Sequence, residues 1–223
     1  IKMLLAVANP ADLTDKYGLP ALDVQTELSI LEEATEGLEI ELITLPEPCT
    51  LIALEEALKS GIHILHIVSH GKYNKEYATS VIYLADDDNK TAPVTDVELA
   101  SILAHRLGDT DQRRQDKLRL VYLAGCETAN RSPAAAFRGF APRLVGAGVP
   151  AVIAMQDLVP IVTARQFSQV FYHGLLRHGQ IDRAANEGRA AIMTANLSGA
   201  SIPVLFMRPA SDAHLTLPPT SSV

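Results

Sequence analysis

Six short apolar runs mark the chain, at residues 3–8, 38–45, 62–69, 118–124, 151–155 and 203–207. Most are near-continuous rather than alternating, the pattern of strands buried on both faces of a parallel sheet. Between them, apolar positions recur at helical spacing. Leu22, Leu28, Leu31 and Ala34 mark one helix that Gly37 stops, and Thr50 opens a second over 51–59 that Gly61 ends. Thr95 and Glu98 form a capping box for a helix over 97–104. Residues 161–178 place Ala164, Phe167, Val170, Phe171 and Leu175 on one face and stop at Gly179. A last helix carries Ile181, Ala184, Ala185, Gly188, Ala191 and Ile192. This alternation predicts a doubly wound α/β sheet. The run 81–84, followed by Asp86, Asp87, Asp88 and Asn89, predicts a small β-hairpin inserted after His70. The polar stretch 108–115 reads as a mobile surface loop, and 218–223 as a linker or frayed tail.

Two of the runs end on chemically capable residues. The run 62–69 is followed by His70 and Gly71, and the run 118–124 by Gly125 and Cys126. Active sites of open α/β sheets lie outside the carboxyl ends of the strands. If these runs pair as parallel neighbours, an imidazole stands beside a thiol at one sheet edge. A cysteine nucleophile and its general base require that arrangement.

The residues around His70 and Cys126 resemble the CHAT peptidases, a caspase-like family related to caspases, separases, gingipains and legumains. Residues 4–10 look like the family's first strand, 148–156 like the strand after the nucleophile, and 167–172 like the helix that follows it. The resemblance implies a caspase-like three-layer sandwich: a mostly parallel sheet of about six strands flanked by helices, with the hairpin as an insertion. It implies one peptidase domain over 1–217. It also implies a His70–Cys126 dyad, with oxyanion donors on the backbone N–H groups of Gly71 and Cys126. The family builds its S1 pocket from loops after the first strand and after the strand following the nucleophile. Asp12 lies near the first place and Asp157 at the second. A carboxylate there would pair with a basic P1 residue.

Composition narrows the alternatives. Over 223 residues the chain is 48% hydrophobic and 20% charged, ordinary for one large globular domain. Its net charge of −7, without a basic stripe, argues against nucleic-acid binding. No apolar run approaches the ~20 residues that span a bilayer. Two cysteines make no disulfide framework, which points to a reducing cytoplasm, and Cys49 reads as structural. The opening Ile1 and Lys2, without an initiator Met or a signal profile, suggest a domain excised from a longer protein. The CHAT resemblance implies regulatory domains on that longer chain, or a partner sensor protein, as partners beside a protein or peptide substrate.

His63, His66 and His70 tempt a metal reading. Residues three apart on a strand face opposite ways, and His66 to His70 spans about 13 Å at ~3.3 Å per residue. One ion cannot bridge that distance, so no metal or cofactor is expected, and His63 and His66 read as packed inside. The string from Gly146 to Ala151 matches GxGxxA but precedes a strand, so it reads as a turn rather than a dinucleotide site. Two other functions compete with a cysteine endopeptidase: a catalytically silent caspase-like scaffold or sensor module, and a small-molecule thiol hydrolase.

Overall fold

A computed structural model describes residues 1–74, 79–108, 117–124, 134–157 and 159–208. Its main sheet has six strands in the order β2 (Glu41–Thr44), β1 (Lys2–Val7), β3 (Ile64–Val68), β7 (Leu120–Ala124), β8 (Ala151–Met155) and β9 (Pro203–Met207). All neighbouring pairs are parallel except β8 with β9, which is antiparallel. The strand period of two turns each continuous apolar run into two half-sets. On one face Leu4, Ala6, Leu65, Ile67, Val121, Leu123, Val152 and Ala154 join a core that includes α3 (Leu51–Leu58), α4 (Asp96–Gly108) and α5 (Ala134–Gly146). On the other face Met3, Leu5, Ile64, Leu120, Tyr122 and Ile153 join a core with α2 (Val24–Thr35), α6 (Ile161–His178) and α7 (Ile181–Thr194). Helices cover both faces, so the result is a three-layer α/β sandwich.

The helix signals correspond to physical caps. Thr50 accepts a hydrogen bond from the Ala53 N–H at 3.0 Å. Thr95 Oγ1 accepts from the Glu98 N–H at 3.2 Å while Glu98 Oε2 accepts from the Thr95 N–H at 2.8 Å, a closed capping box. Gly179 takes a left-handed φ of 71° and donates to the Leu175 carbonyl, ending α6 where the sequence indicates.

Several expectations differ from the structure. The run 38–45 forms only a four-residue edge strand, because residues 38–40 turn out of α2: Leu38 N–H donates to the Thr35 carbonyl and Ile40 N–H to that of Leu38. The hairpin is a three-stranded antiparallel sheet of β4 (Gly71–Asn74), β5 (Thr79–Ala85) and β6 (Thr91–Thr95). Its turn is the acidic cluster, where Asp86 Oδ1 accepts from the N–H groups of Asp88 and Lys90. Two helices had no sequence signal, α5 and the short α1 (Leu13–Tyr17). Gly108 ends α4; the rest of the expected mobile loop, and the tail, lie outside the described residues. Among the described residues no helix is long and apolar enough to cross a membrane.

Candidate active site

Strand pairing brings the two chemical strand ends side by side. β3 lies between β1 and β7, and its last registered pair with β7 is Val68 with Ala124. The Ser69 N–H still reaches the Ala124 carbonyl at 3.1 Å, so the chain leaves the sheet only after Ser69. His70 is two residues beyond Val68 and Cys126 two beyond Ala124, so the two follow adjacent strand ends by the same number of residues. Cys126, with Gly125, lies outside the described residues.

His70 is fully buried, and its Nε2 is 2.8 Å from the Pro20 carbonyl oxygen. A carbonyl only accepts, so Nε2 carries the hydrogen, and the neutral ring leaves Nδ1 as a bare lone pair. Nδ1 is buried and has no hydrogen-bond partner among the described residues. Burial pushes the imidazole below its ordinary pKa, and the Pro20 carbonyl opposes that only in part. The ring is therefore neutral near pH 7 and tautomerically fixed, with a base at Nδ1 that no described residue occupies.

The small sheet starts at this histidine. The Tyr83 N–H donates to the His70 carbonyl at 3.0 Å, and Gly71 is registered opposite Ile82. That bond makes Gly71 and Ile82 a non-hydrogen-bonded pair, so the Gly71 N–H points away from β5. Asp12 ties the sheet to the loop after β1: its Oδ1 accepts from both N and Oγ1 of Thr91, each at 2.6 Å, which lowers its pKa. The structure thus gives Asp12 a bracing task. Asp157 is exposed, two residues past the end of β8.

A cavity of about 30 Å³ lies at the carboxyl edge of the sheet between α2 and α6. Ala124 and Met155, the last residues of β7 and β8, line it together with Val159, Ile161 and Ser168. Glu27, in the first turn of α2, also lines it. Burial first, and the nearby Asp23 second, raise the Glu27 carboxyl to about 7 against the pull of Arg165. No sequence reasoning picked out Glu27, although a signal existed: it interrupts the apolar stripe of Val24, Leu28 and Leu31. Pro20 had no such signal, because its role comes from a contact fifty residues away in the chain.

The remaining candidates take structural places. His66 is buried with Nδ1 3.0 Å from the Tyr172 hydroxyl, stacks on Tyr122, and is pushed down to about 3 by burial. His63 Nδ1 accepts from the Lys2 N–H at 3.0 Å, and its side chain is half-buried rather than inside. The Cys49 thiol is buried and pushed up to about 12, which leaves it inert. Among the described residues no three His, Cys, Asp or Glu side chains cluster as metal ligands.

The model of the CHAT domain family matches residues 2–201. Among solved structures the chain is similar to gingipain R, an Arg-specific cysteine proteinase, with a TM-score of 0.53 at 13% identity. The likeness covers 96% of this chain and 46% of that one, so this chain spans a little less than half the length of that proteinase. At such identity the likeness is one of fold. No curated protein matches the chain.

Proposed function

Because the chain belongs to the CHAT domain family and has the caspase-like fold, we propose that it is a cysteine endopeptidase working through His70 and Cys126. The observation that carries this reading is the state of His70. The Pro20 carbonyl holds the hydrogen on Nε2, so the unpartnered Nδ1 is the base, next to the strand end that precedes Cys126.

In this reading Nδ1 takes the proton from the Cys126 thiol as the sulfur attacks the scissile carbonyl. The Gly71 and Cys126 N–H groups receive the developing oxyanion. The imidazolium returns the proton to the leaving amine, and water, activated by the same Nδ1, hydrolyses the thioester. Burial helps, because a depressed imidazole pKa makes proton return easy. The chemistry needs no metal, so chelators are expected to leave turnover unchanged.

For specificity, Asp157, exposed two residues after the end of β8, is expected to favour a basic P1 residue. Its exposure limits its weight: screened charge pairs contribute up to ~1 kcal/mol, so Asp157→Asn costs basic substrates only about fivefold. Asp12, already engaged by Thr91, contributes through the position of the small sheet. Control of the peptidase falls to further domains on the same chain or to a separate sensor protein.

The test is turnover of a P1-varied peptide library by wild type and Cys126→Ala. The variant should keep its melting temperature and lose activity to below a few per cent. Residual turnover above that level means another nucleophile. A folded wild type inert to every peptide and every thiol-directed probe supports the scaffold reading instead.

A further inference from the structure

The carbonyl that fixes the His70 tautomer belongs to a loop, and two side chains hold that loop on either side of it. Pro20 lies between α1 and α2, and its oxygen is part of the peptide unit that joins it to Ala21. In the preceding peptide unit the Leu19 carbonyl accepts a hydrogen bond from Thr14 Oγ1 at 2.8 Å. In the following one the Leu22 N–H donates to Asn9 Oδ1 at 2.9 Å. Peptide units are planar and turn only about the two soft dihedrals of each residue. Anchoring both neighbours therefore leaves the Pro20 oxygen little freedom to move away from His70 Nε2.

The sheet places Asn9 for this task. β1 and β3 register Val7 with Val68, and the Ala8 N–H still donates to the Val68 carbonyl at 2.9 Å. Asn9 follows Val7, and His70 follows Val68, by two residues each, so both leave adjacent strand ends at the same level. The two anchors differ in strength. The Thr14 bond is exposed, so water can replace either partner. The Asn9 bond is partly buried, on a residue only 3% exposed, and loss of the acceptor leaves a shielded donor unpaired. The earlier part of the loop is tied to the small sheet instead. The Ala11 N–H donates to the Asn89 carbonyl, Asp12 holds Thr91, and the Tyr17 ring lies 4.6 Å from that of Tyr83. All three contacts come before Gly18, so they do not hold the segment that carries Pro20.

Resting on the peptidase reading above, we propose that Asn9, assisted by Thr14, is a positioning residue for the general base. It aims the Pro20 carbonyl at His70 Nε2 and so keeps the lone pair on Nδ1. Asn9 acts through the backbone and needs no contact with substrate. A carboxamide suits the place, because its oxygen accepts from Leu22 without bringing a charge beside an imidazole that must stay neutral. Aspartate keeps that acceptor and alanine loses it. The competing role is purely structural: the bond helps to start α2, whose N-cap Asp23 follows Leu22. Such a role costs stability when removed and leaves the hydrogen on His70 unaffected.

The experiment reads His70 itself by proton NMR, beside turnover of a peptide substrate and a melting temperature for each variant. The Nε2 hydrogen is buried and bonded, so in wild type its resonance should be visible and slow to exchange with water. Its absence from His70→Gln assigns it. Asn9→Ala should lose the resonance to exchange, Asn9→Asp should keep it, and Thr14→Val should weaken it. Turnover should fall about tenfold in Asn9→Ala and about twofold in Thr14→Val, and Asn9→Asp should restore most of it. A resonance unchanged in folded Asn9→Ala overturns the proposal, as does its loss in Asn9→Asp, or turnover that falls while the resonance stays. If Asn9→Ala does not fold, an unchanged resonance in Thr14→Val overturns the proposal instead. A wild type that shows the resonance but cleaves no peptide overturns the peptidase reading, a result distinct from normal turnover that ignores Asn9.

Discussion

At the scale of single residues, the histidines and Glu27 show how burial sorts groups of the same type into different tasks. His66 and His70 are both buried and neutral, yet among the described residues His70 keeps an unbonded ring nitrogen while Tyr172 satisfies His66. His66 has its pKa depressed to about 3, so its stability contribution is present above the ordinary value near 6.5 and is lost as pH falls toward 3. His66→Gln should therefore lower stability at pH 7.5 by about 1–3 kcal/mol, through a poorly satisfied Tyr172 hydroxyl. It should also flatten the fall in melting temperature on acidification. Glu27 has the opposite sign. Its raised pKa favours the folded state fully below about 4.5, and that benefit is lost as pH rises through 7. Glu27→Gln should gain stability over wild type at pH 8, on the order of 1–3 kcal/mol, and little at pH 5. Melts at both pH values check both variants; a Glu27→Gln gain at pH 5 that equals the gain at pH 8 contradicts the ionisation argument.

At the scale of elements, the small sheet carries Gly71 and is held in place by α5. Gly139 faces Ser80 of β5 so closely that an added Cβ would stand 2.0 Å from the Ser80 Oγ. Gly139→Ala should cost about 1–3 kcal/mol of overpacking and reduce turnover by shifting the sheet that positions the Gly71 N–H. Ser80→Ala in the same chain should restore most of both losses; additive losses would show that the two residues do not meet. The legibility of elements follows the same physics. The runs 151–155, 161–178 and 203–207 are strand or helix over the residues expected, because burial or a glycine stop bounds them. β4 and β6 were invisible because Gly71, Lys72 and Pro93 give them no apolar pattern. α5 was missed because Pro142 sits inside it and Gly139 lies three residues before that, a composition that reads as a loop until Phe140 and Leu144 find the core.

At the scale of the molecule, a doubly wound sheet was legible from continuous apolar runs with helical patterns between them, since strands covered on both faces carry that pattern, and the caspase-like three-layer arrangement came with the family resemblance. The adjacency of the strand ends before His70 and Cys126 at one sheet edge was legible too, because both runs read as parallel strands of one sheet. What was hidden is what surrounds that edge. Pro20 and Glu27 reach it from the segment between β1 and β2, and their proximity exists only once β3 has inserted beside β1.

The central claim is that His70 acts on Cys126 as a neutral, tautomerically fixed base. The direct measurement is the rate of Cys126 alkylation by iodoacetamide against pH, in wild type and His70→Ala. With Nδ1 depressed and available, wild type should keep most of its rate down to below pH 6.5. His70→Ala should follow an unassisted thiol, losing about tenfold per pH unit below ~8.5. Superimposable profiles for the two proteins would contradict the account.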